Sequence, residues 1–316
     1  MMGKNEWSVT SRQPSLKGRV ALVTGGNSGL GFEVACGLAM RGARLLLPVR
    51  SAERGEAALA ALQTRCPGAE AELLTLNLAS LASIAACATE VANRTRTLDF
   101  LVNNAGVMAL ARRLETADGF EMQFGTNHLG HFALTTRLRP LLEAASGGGT
   151  VVTVASLAAC KTSIHFDDLQ SRRRYSPFGA YQQSKLSNLL FAQELARRAG
   201  ENGWNIHSRA AHPGWSSTSI IANGPAATLP GIVGTAERVV GTAVLRIMGQ
   251  SAARGAEPLL YAALSPSARD GDYYGPQGAG ERRGPPGPAT VPPAAQKVST
   301  ASRLWDASER LTGVAW

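Results

Sequence analysis

The sequence predicts an α/β protein built on a doubly wound parallel sheet. From residue 19 onward, short segments rich in Leu and Val alternate with Ala-rich helical segments. The strand segments are apolar on both faces, as expected for a parallel sheet that is covered by helices on both sides. The chain has 316 residues, of which 44% are hydrophobic, so it is long enough to bury a large core. Regular alternation of β and α elements favours a single sheet.

The elements follow one another in a simple order. Strands are predicted at 19–24, 44–49, 72–77, 98–103, 149–155 and 204–211. Helices are predicted at 29–41, 52–65, 81–95, 119–145 and 180–201. A last amphipathic segment, 299–312, has Leu304, Trp305 and Leu311 at helical spacing, so it should return to the core.

The predicted domain organisation is a polar N-terminal tail, 1–15, followed by one domain, 16–316. Residues 212–250 mix Pro and Gly with a later apolar helical pattern, which suits a cover over a substrate site. The apolar residues of this cover either line a substrate pocket or only pack the cover against the rest of the domain. They are Trp215, Ile220, Ile221, Leu229 and Ile232. Six Gly and six Pro within 271–294 exclude regular structure, so that stretch is predicted to be loop.

Composition excludes several classes of protein. The formal net charge is +9, but Lys and Arg are spread along the chain, and the densest cluster, 172–174, is too short for a polyanion-binding stripe. We therefore expect no nucleic-acid partner. The four cysteines show no CxxC or zinc spacing, so reduced thiols in the cytoplasm and no metal are expected. The N-terminus is polar and no apolar run reaches about 18 residues, so no membrane span is expected.

A glycine-rich turn follows the first predicted strand and opens the first predicted helix. Glycines there allow a tight turn and bring backbone N–H groups and the helix N-terminus against a pyrophosphate. A turn that binds nothing is the alternative, but the strand–turn–helix context favours a dinucleotide site. The predicted contacts are Gly25, Asn27, Ser28, Gly29, Leu30 and Gly31.

The spacing Gly25, Gly29, Gly31 resembles that of the short-chain dehydrogenase/reductase family. The chain also has the matching motifs Asn103-Asn104-Ala105-Gly106, Asn127, Ser156, Tyr181 with Lys185, and His212-Pro213-Gly214. Within the family it is most similar to the retinol-dehydrogenase-like group, through segments 166–170, 181–188, 271–276 and 304–313. The polar N-terminus departs from the apolar anchor of the membrane-bound retinoid enzymes.

The resemblance implies a Rossmann-type fold and a four-residue catalytic set. Tyr181 and Lys185 are four apart on a helix, and the ammonium and a cationic nicotinamide should lower the pKa of the phenol so that it exchanges protons with substrate. Ser156 would hydrogen-bond the substrate oxygen. By the family's mechanism, Lys185 also holds the nicotinamide ribose and Asn127 positions a water that relays protons. Each step of the implied mechanism already has an assigned residue, so we interpret His128, His131 and Cys160 as packing or surface residues.

Further cofactor contacts are implied at several strand ends. They are Asn77, Leu78, Asn104, Ala105, Gly106, Pro213, Gly214 and Thr218. Asn77 stands where the family usually has an Asp that contacts the adenine amino group, and the amide oxygen can still accept that hydrogen bond. Arg50 ends the second strand, and no Asp or Glu occupies 47–52. A guanidinium suits a ribose 2′-phosphate, which favours NADP over NAD; the alternative is a solvated arginine at a helix start.

The expected function is hydride transfer between NADP(H) and a carbonyl or alcohol on a bulky apolar small molecule. The alternative is a catalytically silent NADP-sensing or scaffold protein on the same fold, although such proteins typically lose the Tyr or the Lys. A membrane-surface retinoid or sterol enzyme is disfavoured by the polar N-terminus. Relatives often pair through the helices at 119–145 and 180–201, which implies a homodimer or homotetramer.

Overall fold

A computed structural model describes residues 15–215 and 250–316. The strands are β1 (Val20–Val23), β2 (Arg44–Val49), β3 (Ala71–Thr75), β4 (Phe100–Asn103), β5 (Gly149–Val154), β6 (Ile206–Ala211), β7 (Tyr273–Pro276) and β8 (Pro286–Pro288). The α-helices are α1 (Gly29–Ala39), α2 (Ala52–Arg65), α3 (Leu81–Arg94), α4 (Met122–Phe124), α5 (Gly130–Glu143), α6 (Pro177–Asn202), α7 (Ala252–Leu264) and α8 (Val298–Thr312).

The predicted doubly wound parallel sheet is confirmed. All eight strands form one sheet in the order β3-β2-β1-β4-β5-β6-β7-β8. Strands β1 to β7 pair in parallel, and only β8 runs antiparallel to its neighbour. The chain moves outward from β1 to β3 and then returns to β4 on the other side of β1. Neighbouring loops therefore leave in opposite directions above β1 and β4, which is where sheets of this kind bind their ligands.

Side chains of successive strand residues fill two separate cores. In β1, Ala21 and Val23 join the core against α1, α2 and α7, whereas Val20 and Leu22 join the core against α3, α5 and α6. This alternation follows from the two-residue period of a strand, and it needs apolar residues at every position because helices cover both faces. The continuous apolar runs of the sequence are the direct result.

Three parts of the described structure differ from the sequence prediction. The stretch 271–294 contains β7 and β8, so the prediction that Gly and Pro exclude regular structure there is wrong. Helix α7 was not predicted, although Ser251 caps it by accepting from Arg254 N. The predicted helix 119–145 begins only at Met122 and is interrupted by a π-helical turn, Gly125–Leu129. Pro is tolerated in β8 because this strand lies at the sheet edge.

The predicted return of the last helix to the core is confirmed. Trp305 of α8 is 2% exposed and lies edge-on to Phe132 of α5, with 5.2 Å between ring centroids. It also stacks on Phe191 of α6 at 5.8 Å. The last helix thus lies against the two helices through which relatives often pair. The homodimer or homotetramer stays a prediction.

Other predictions fall partly outside the described residues. Residues 1–14 of the tail and 216–249 of the substrate cover, with Thr218, lie outside them. In the two described ranges, no helix has both the length and the apolar character needed to cross a membrane. Cys36, Cys66 and Cys87 are buried free thiols, and Cys160 is an exposed one.

Candidate active site

A cavity of about 1310 Å³ lies at the carboxyl ends of the parallel strands. It exceeds the roughly 300–1,000 Å³ of pockets for drug-sized ligands, so it has room for a dinucleotide and a substrate. Of the site residues predicted from sequence, the following line it: Gly25, Asn27, Ser28, Leu30, Gly31, Arg50, Asn77, Leu78, Asn104, Ala105, Gly106, Ser156, Tyr181, Lys185, Pro213 and Gly214. Gly29 and Asn127 lie outside the cavity wall.

The glycine turn after β1 is shaped so that only glycine fits. Gly25 has φ +67°, in the left-handed region. A Cβ at Gly31 would lie 2.3 Å from the carbonyl oxygen of Gly25 and 2.4 Å from Asn104 Nδ2. The Ser28 side chain does not cap α1, so it leaves the helix N-terminus to the cavity. These features fit a dinucleotide pyrophosphate.

Thr24 and His131 form a polar link beneath this turn that sequence reasoning missed. Thr24 Oγ1 accepts hydrogen bonds from the backbone N–H groups of Asn104 (2.9 Å) and Ala105 (3.0 Å). It also lies 2.9 Å from His131 Nε2, while His131 Nδ1 lies 2.9 Å from the carbonyl oxygen of Asn127. Burial lowers the pKa of His131 to about 4, so the ring is neutral. Since the Asn127 carbonyl can only accept, Nδ1 carries the proton and Nε2 accepts from Thr24.

Asn127 lies in the π-helical turn between α4 and α5, an irregularity often found at functional sites. Its Oδ1 accepts from Val107 N at 2.8 Å, and its Nδ2 donates to Val107 O and Ser184 Oγ, both at 2.9 Å. The turn is fixed by the fully buried Glu121, which accepts from the N–H groups of Gln123 and Phe124. In this structure Asn127 therefore holds the wall segment at Val107 next to the cavity.

Ser156, Tyr181 and Lys185 line the same cavity as the glycine turn. Tyr181 and Lys185 project from one face of α6 and are 7% and 2% exposed. Lys185 Nζ lies 5.9 Å from the centroid of the Tyr181 ring and donates to the carbonyl oxygen of Val154 at 3.0 Å. Ser156, just after β5, lies near enough to Tyr181 for its hydroxyl to lower the pKa of the phenol. All three side chains line the same cavity.

The pKa of Tyr181 differs from the sequence prediction. Burial raises the pKa of its phenol, and the nearby Ser156 hydroxyl only partly opposes this. Burial also lowers the pKa of Lys185 to about 8. Loss of hydration dominates because both groups are buried, and Lys185 Nζ binds a carbonyl instead of the phenol oxygen. Within the protein alone, Tyr181 is a protonated phenol at neutral pH and can act as a proton donor.

The far end of the cavity is cationic. Arg50 and Arg54, on either side of the start of α2, both line it, together with the carboxylate of Glu53. Arg54, in the first turn of α2, was not predicted from sequence. Asn77 Oδ1 accepts from Ala79 N at 3.1 Å and retains a second lone pair. This end fits an adenosine that carries a phosphate.

The other end of the cavity, beside Ser156, is mainly apolar. Phe178 is 51% exposed, and its ring centroid lies 6.1 Å from that of Tyr181. The apolar side chains at this end are Met108, Leu110, Leu114, Met122, Leu157, Phe178 and Trp215. Lys161 and Gln182 add polar groups. Such a lining suits an apolar substrate held with its reacting oxygen toward Ser156 and Tyr181.

Comparisons with known proteins agree with the fold. Residues 19–227 match the model of the short chain dehydrogenase family. Retinol dehydrogenase 14 of Homo sapiens is 36% identical over 95% of this chain and 88% of its own. Dehydrogenase/reductase SDR family member 13 of Homo sapiens is 37% identical over 95% of this chain and 74% of its own.

Solved structures show the same architecture. An uncharacterized protein from Mycobacterium Paratuberculosis is 36% identical with a TM-score of 0.78, over 98% of each chain. A short chain dehydrogenase from Burkholderia cenocepacia in complex with NADP is 25% identical with a TM-score of 0.59, over 82% of this chain and 96% of its own.

This chain therefore belongs to the short-chain dehydrogenase family of oxidoreductases. Within that family it is similar to the retinol dehydrogenases, which confirms the resemblance seen in its motifs.

Proposed function

We propose that the protein is an NADP(H)-dependent oxidoreductase that interconverts a carbonyl and an alcohol on a bulky apolar substrate. One observation carries the proposal: Ser156, Tyr181 and Lys185 line the same cavity as the glycine turn and its helix N-terminus. A bound nicotinamide cofactor would supply or accept the hydride. The names of the retinol dehydrogenase relatives support an apolar alcohol or its carbonyl as substrate.

Four residues at the site carry out the remaining steps. Tyr181 gives its phenolic proton to the substrate oxygen in reduction and removes it in oxidation. Ser156 donates a hydrogen bond to the same oxygen and stabilises the negative charge that develops on it. Lys185 holds the cofactor ribose and helps to move protons at Tyr181. Asn127 keeps its predicted role beside Lys185, positioning a relay water. The apolar end excludes water from the reacting atoms.

Cofactor contacts are proposed for the full set predicted from sequence, including Gly29 at the start of α1 and Thr218. Arg50 and Arg54 would hold the 2′-phosphate, and the NADP complex of the Burkholderia cenocepacia relative supports this choice. Asn77 would accept from the adenine amino group through its remaining lone pair.

The function is tested by incubating the protein with a panel of apolar ketones, aldehydes and alcohols. NADPH or NADH consumption, or their formation from the alcohols, is followed by absorbance. Turnover of at least one apolar carbonyl, with NADPH preferred, supports the proposal. The silent sensor would be favoured instead if the protein binds NADPH tightly, turns over no compound of the panel, and keeps the same NADPH affinity in Tyr181→Phe.

Arg50→Asp should weaken NADPH binding by about 10- to 100-fold, because a cation that faces the 2′-phosphate becomes an anion. NADH binding should change far less, since NADH carries no phosphate there. Both affinities are measured by nucleotide fluorescence. Arg172→Asp is the control, because it reverses an exposed charge that does not line the cavity. A wild type that prefers NADH, or an unchanged NADPH affinity in Arg50→Asp, would refute the assignment of Arg50.

A further inference from the structure

A pair formed by a buried histidine and a partly exposed carboxylate lies behind the cavity wall that follows β6. His212 is fully buried, and its Nε2 lies 3.0 Å from Glu281 Oε2. The other ring nitrogen, Nδ1, accepts a hydrogen bond from Gly214 N–H at 3.1 Å. Since Nδ1 accepts, the ring proton is on Nε2 and is donated to Glu281. Glu281 thus sets the orientation of the ring that holds Gly214.

Glu281 occupies this position at a conformational cost. Its φ is +55°, in the left-handed region, which is strained for any residue other than glycine. Its second oxygen, Oε1, accepts from Thr290 N at 2.8 Å and Thr290 Oγ1 at 2.6 Å. These bonds, with that from His212 as the largest cause, lower the pKa of Glu281 to about 2. The carboxylate is therefore ionised and fully engaged, which is what holds the strained backbone in place.

The turn that carries Glu281 is also joined directly to the wall. Trp215 N–H donates to the carbonyl oxygen of Arg282 at 2.9 Å, and the Arg282 guanidinium lies 4.4 Å from the centre of the Trp215 ring. A Cβ at Gly214 would lie 2.4 Å from that same carbonyl oxygen. At Gly275 a Cβ would lie 1.9 Å from His212 Nε2. Both glycines are needed for the close approach.

The wall concerned lies at the reacting end of the cavity. Strand β6 pairs with β5, with Ala211 opposite Val154, so residues 213–215 (the post-β6 loop) emerge beside Ser156. Pro213, Gly214 and Trp215 line the cavity, whereas His212 and Glu281 do not. The contacts that join Glu281 to the cavity wall therefore run through His212 to this loop.

We propose that Glu281 is a positioning residue that, through His212 and Gly214, fixes the post-β6 loop in the form that receives the nicotinamide end of the cofactor. The assignment of that ligand rests on the proposed function. Preorganising the loop spares a bound cofactor the cost of ordering it.

Three substitutions of Glu281 distinguish an effect on the position of the loop from an effect on the stability of the protein. Glu281→Ala removes the acceptor for His212 and should raise the NADPH dissociation constant about fivefold and lower kcat/KM about tenfold. Glu281→Gly also removes it but relieves the backbone strain, so it should melt at a higher temperature than Glu281→Ala while binding NADPH as weakly. Glu281→Gln keeps an oxygen for His212 but offers an amide to Thr290, so it should melt lower than wild type yet bind NADPH nearly as well.

The chain contains a matched control at the other end of β6. His207 Nδ1 lies 2.7 Å from Asp270 Oδ2, about 17 Å from His212 along the strand. Asp270→Asn replaces this carboxylate with a neutral amide far from the cavity, so it should change melting temperature but not NADPH affinity. If NADPH affinity follows melting temperature across all four variants, Glu281 is only structural and the proposal is overturned.

Hydrogen exchange of the chain without cofactor tests the loop by itself. Exchange at the amides of Gly214 and Trp215 should be faster in Glu281→Ala than in wild type, and unchanged in Asp270→Asn. Unchanged exchange in Glu281→Ala overturns the inference whatever the protein binds. A wild type that binds neither NADPH nor NADH, with faster loop exchange in Glu281→Ala, overturns the proposed cofactor and leaves the loop-fixing role of Glu281 supported.

Discussion

Replacing Tyr181 with Phe should lower turnover by about 10²- to 10⁴-fold, the usual contribution of a general acid or base. The substitution keeps the ring but removes the one transferable proton that faces the cavity beside Ser156. NADPH affinity should stay near that of wild type, because the ring still fills its place on α6. Turnover is measured with the best substrate of the panel, and NADPH binding by fluorescence.

Tyr175→Phe provides the matched control. Its hydroxyl donates to the carbonyl oxygen of Leu110 at 2.7 Å, and it lies outside the cavity wall. Losing this bond should cost about 1 kcal/mol of stability and leave turnover within a few-fold of wild type. Near-normal turnover in Tyr181→Phe, or an equal loss in Tyr175→Phe, would remove Tyr181 from its assigned role.

Lys185→Met should inactivate the enzyme and yet make the folded protein more stable at pH 7. Burial lowers the pKa of Lys185 from 10.5 to about 8, which corresponds to roughly 3 kcal/mol of destabilisation. Methionine fills a similar volume without a charge. The carbonyl oxygen of Val154 keeps a donor in Asn188 Nδ2, at 3.0 Å. We expect the free energy of unfolding to rise by about 1–3 kcal/mol, since packing differences offset part of the gain.

The sign of the pH dependence shows whether the buried charge of Lys185 causes the difference in stability between the variant and the wild type. Below pH 8, Lys185 is protonated in both the folded and the unfolded chain, so the full penalty is present. Between pH 8 and 10.5 the folded chain loses this proton while the unfolded chain keeps it, so the wild type gains stability as pH rises. The advantage of Lys185→Met should therefore shrink above pH 8.

Urea unfolding at pH 7 and at pH 9.5 measures both quantities. Lys161→Met is the control, because Lys161 lines the same cavity but is exposed. A Lys185→Met variant that is less stable than wild type at pH 7, with the same dependence on pH, would contradict the expectation.

Most strands of the sheet could be predicted because the apolar run that forms each of them is visible in a short stretch of sequence. Residues 45–49 are apolar without a break, as a strand covered on both faces requires, and the predicted bounds of this strand, 44–49, agree with β2. β7 and β8 could not be predicted in the same way. β7 is paired with β6 only through Ala210 and Ala211, and β8 is held by β7 alone. Their pairing depends on partners more than 60 residues away or on an edge position, and neither leaves a periodic pattern.

The candidate site likewise has features that the sequence could predict and features that it could not. Motif spacing predicted many of the residues that line the cavity, because strand ends of a parallel sheet meet at one edge. It could not predict the direction of the Tyr181 pKa shift, which depends on how deeply the assembled helices bury the phenol. The contacts of His131 with Thr24 and Asn127 were also missed, since the sequence shows only a histidine on a buried helix face.

The position of Trp305 has a consequence for synthesis on the ribosome. Phe132 and Phe191 emerge early, but the indole that covers them belongs to α8, whose first residue follows the end of α6 by roughly one hundred positions. At about 5–20 residues per second, that aromatic surface stays uncovered for on the order of 5–20 s. During this interval the nascent chain presents an apolar groove that suits a holding chaperone. Release should follow only when the last helix has left the exit tunnel.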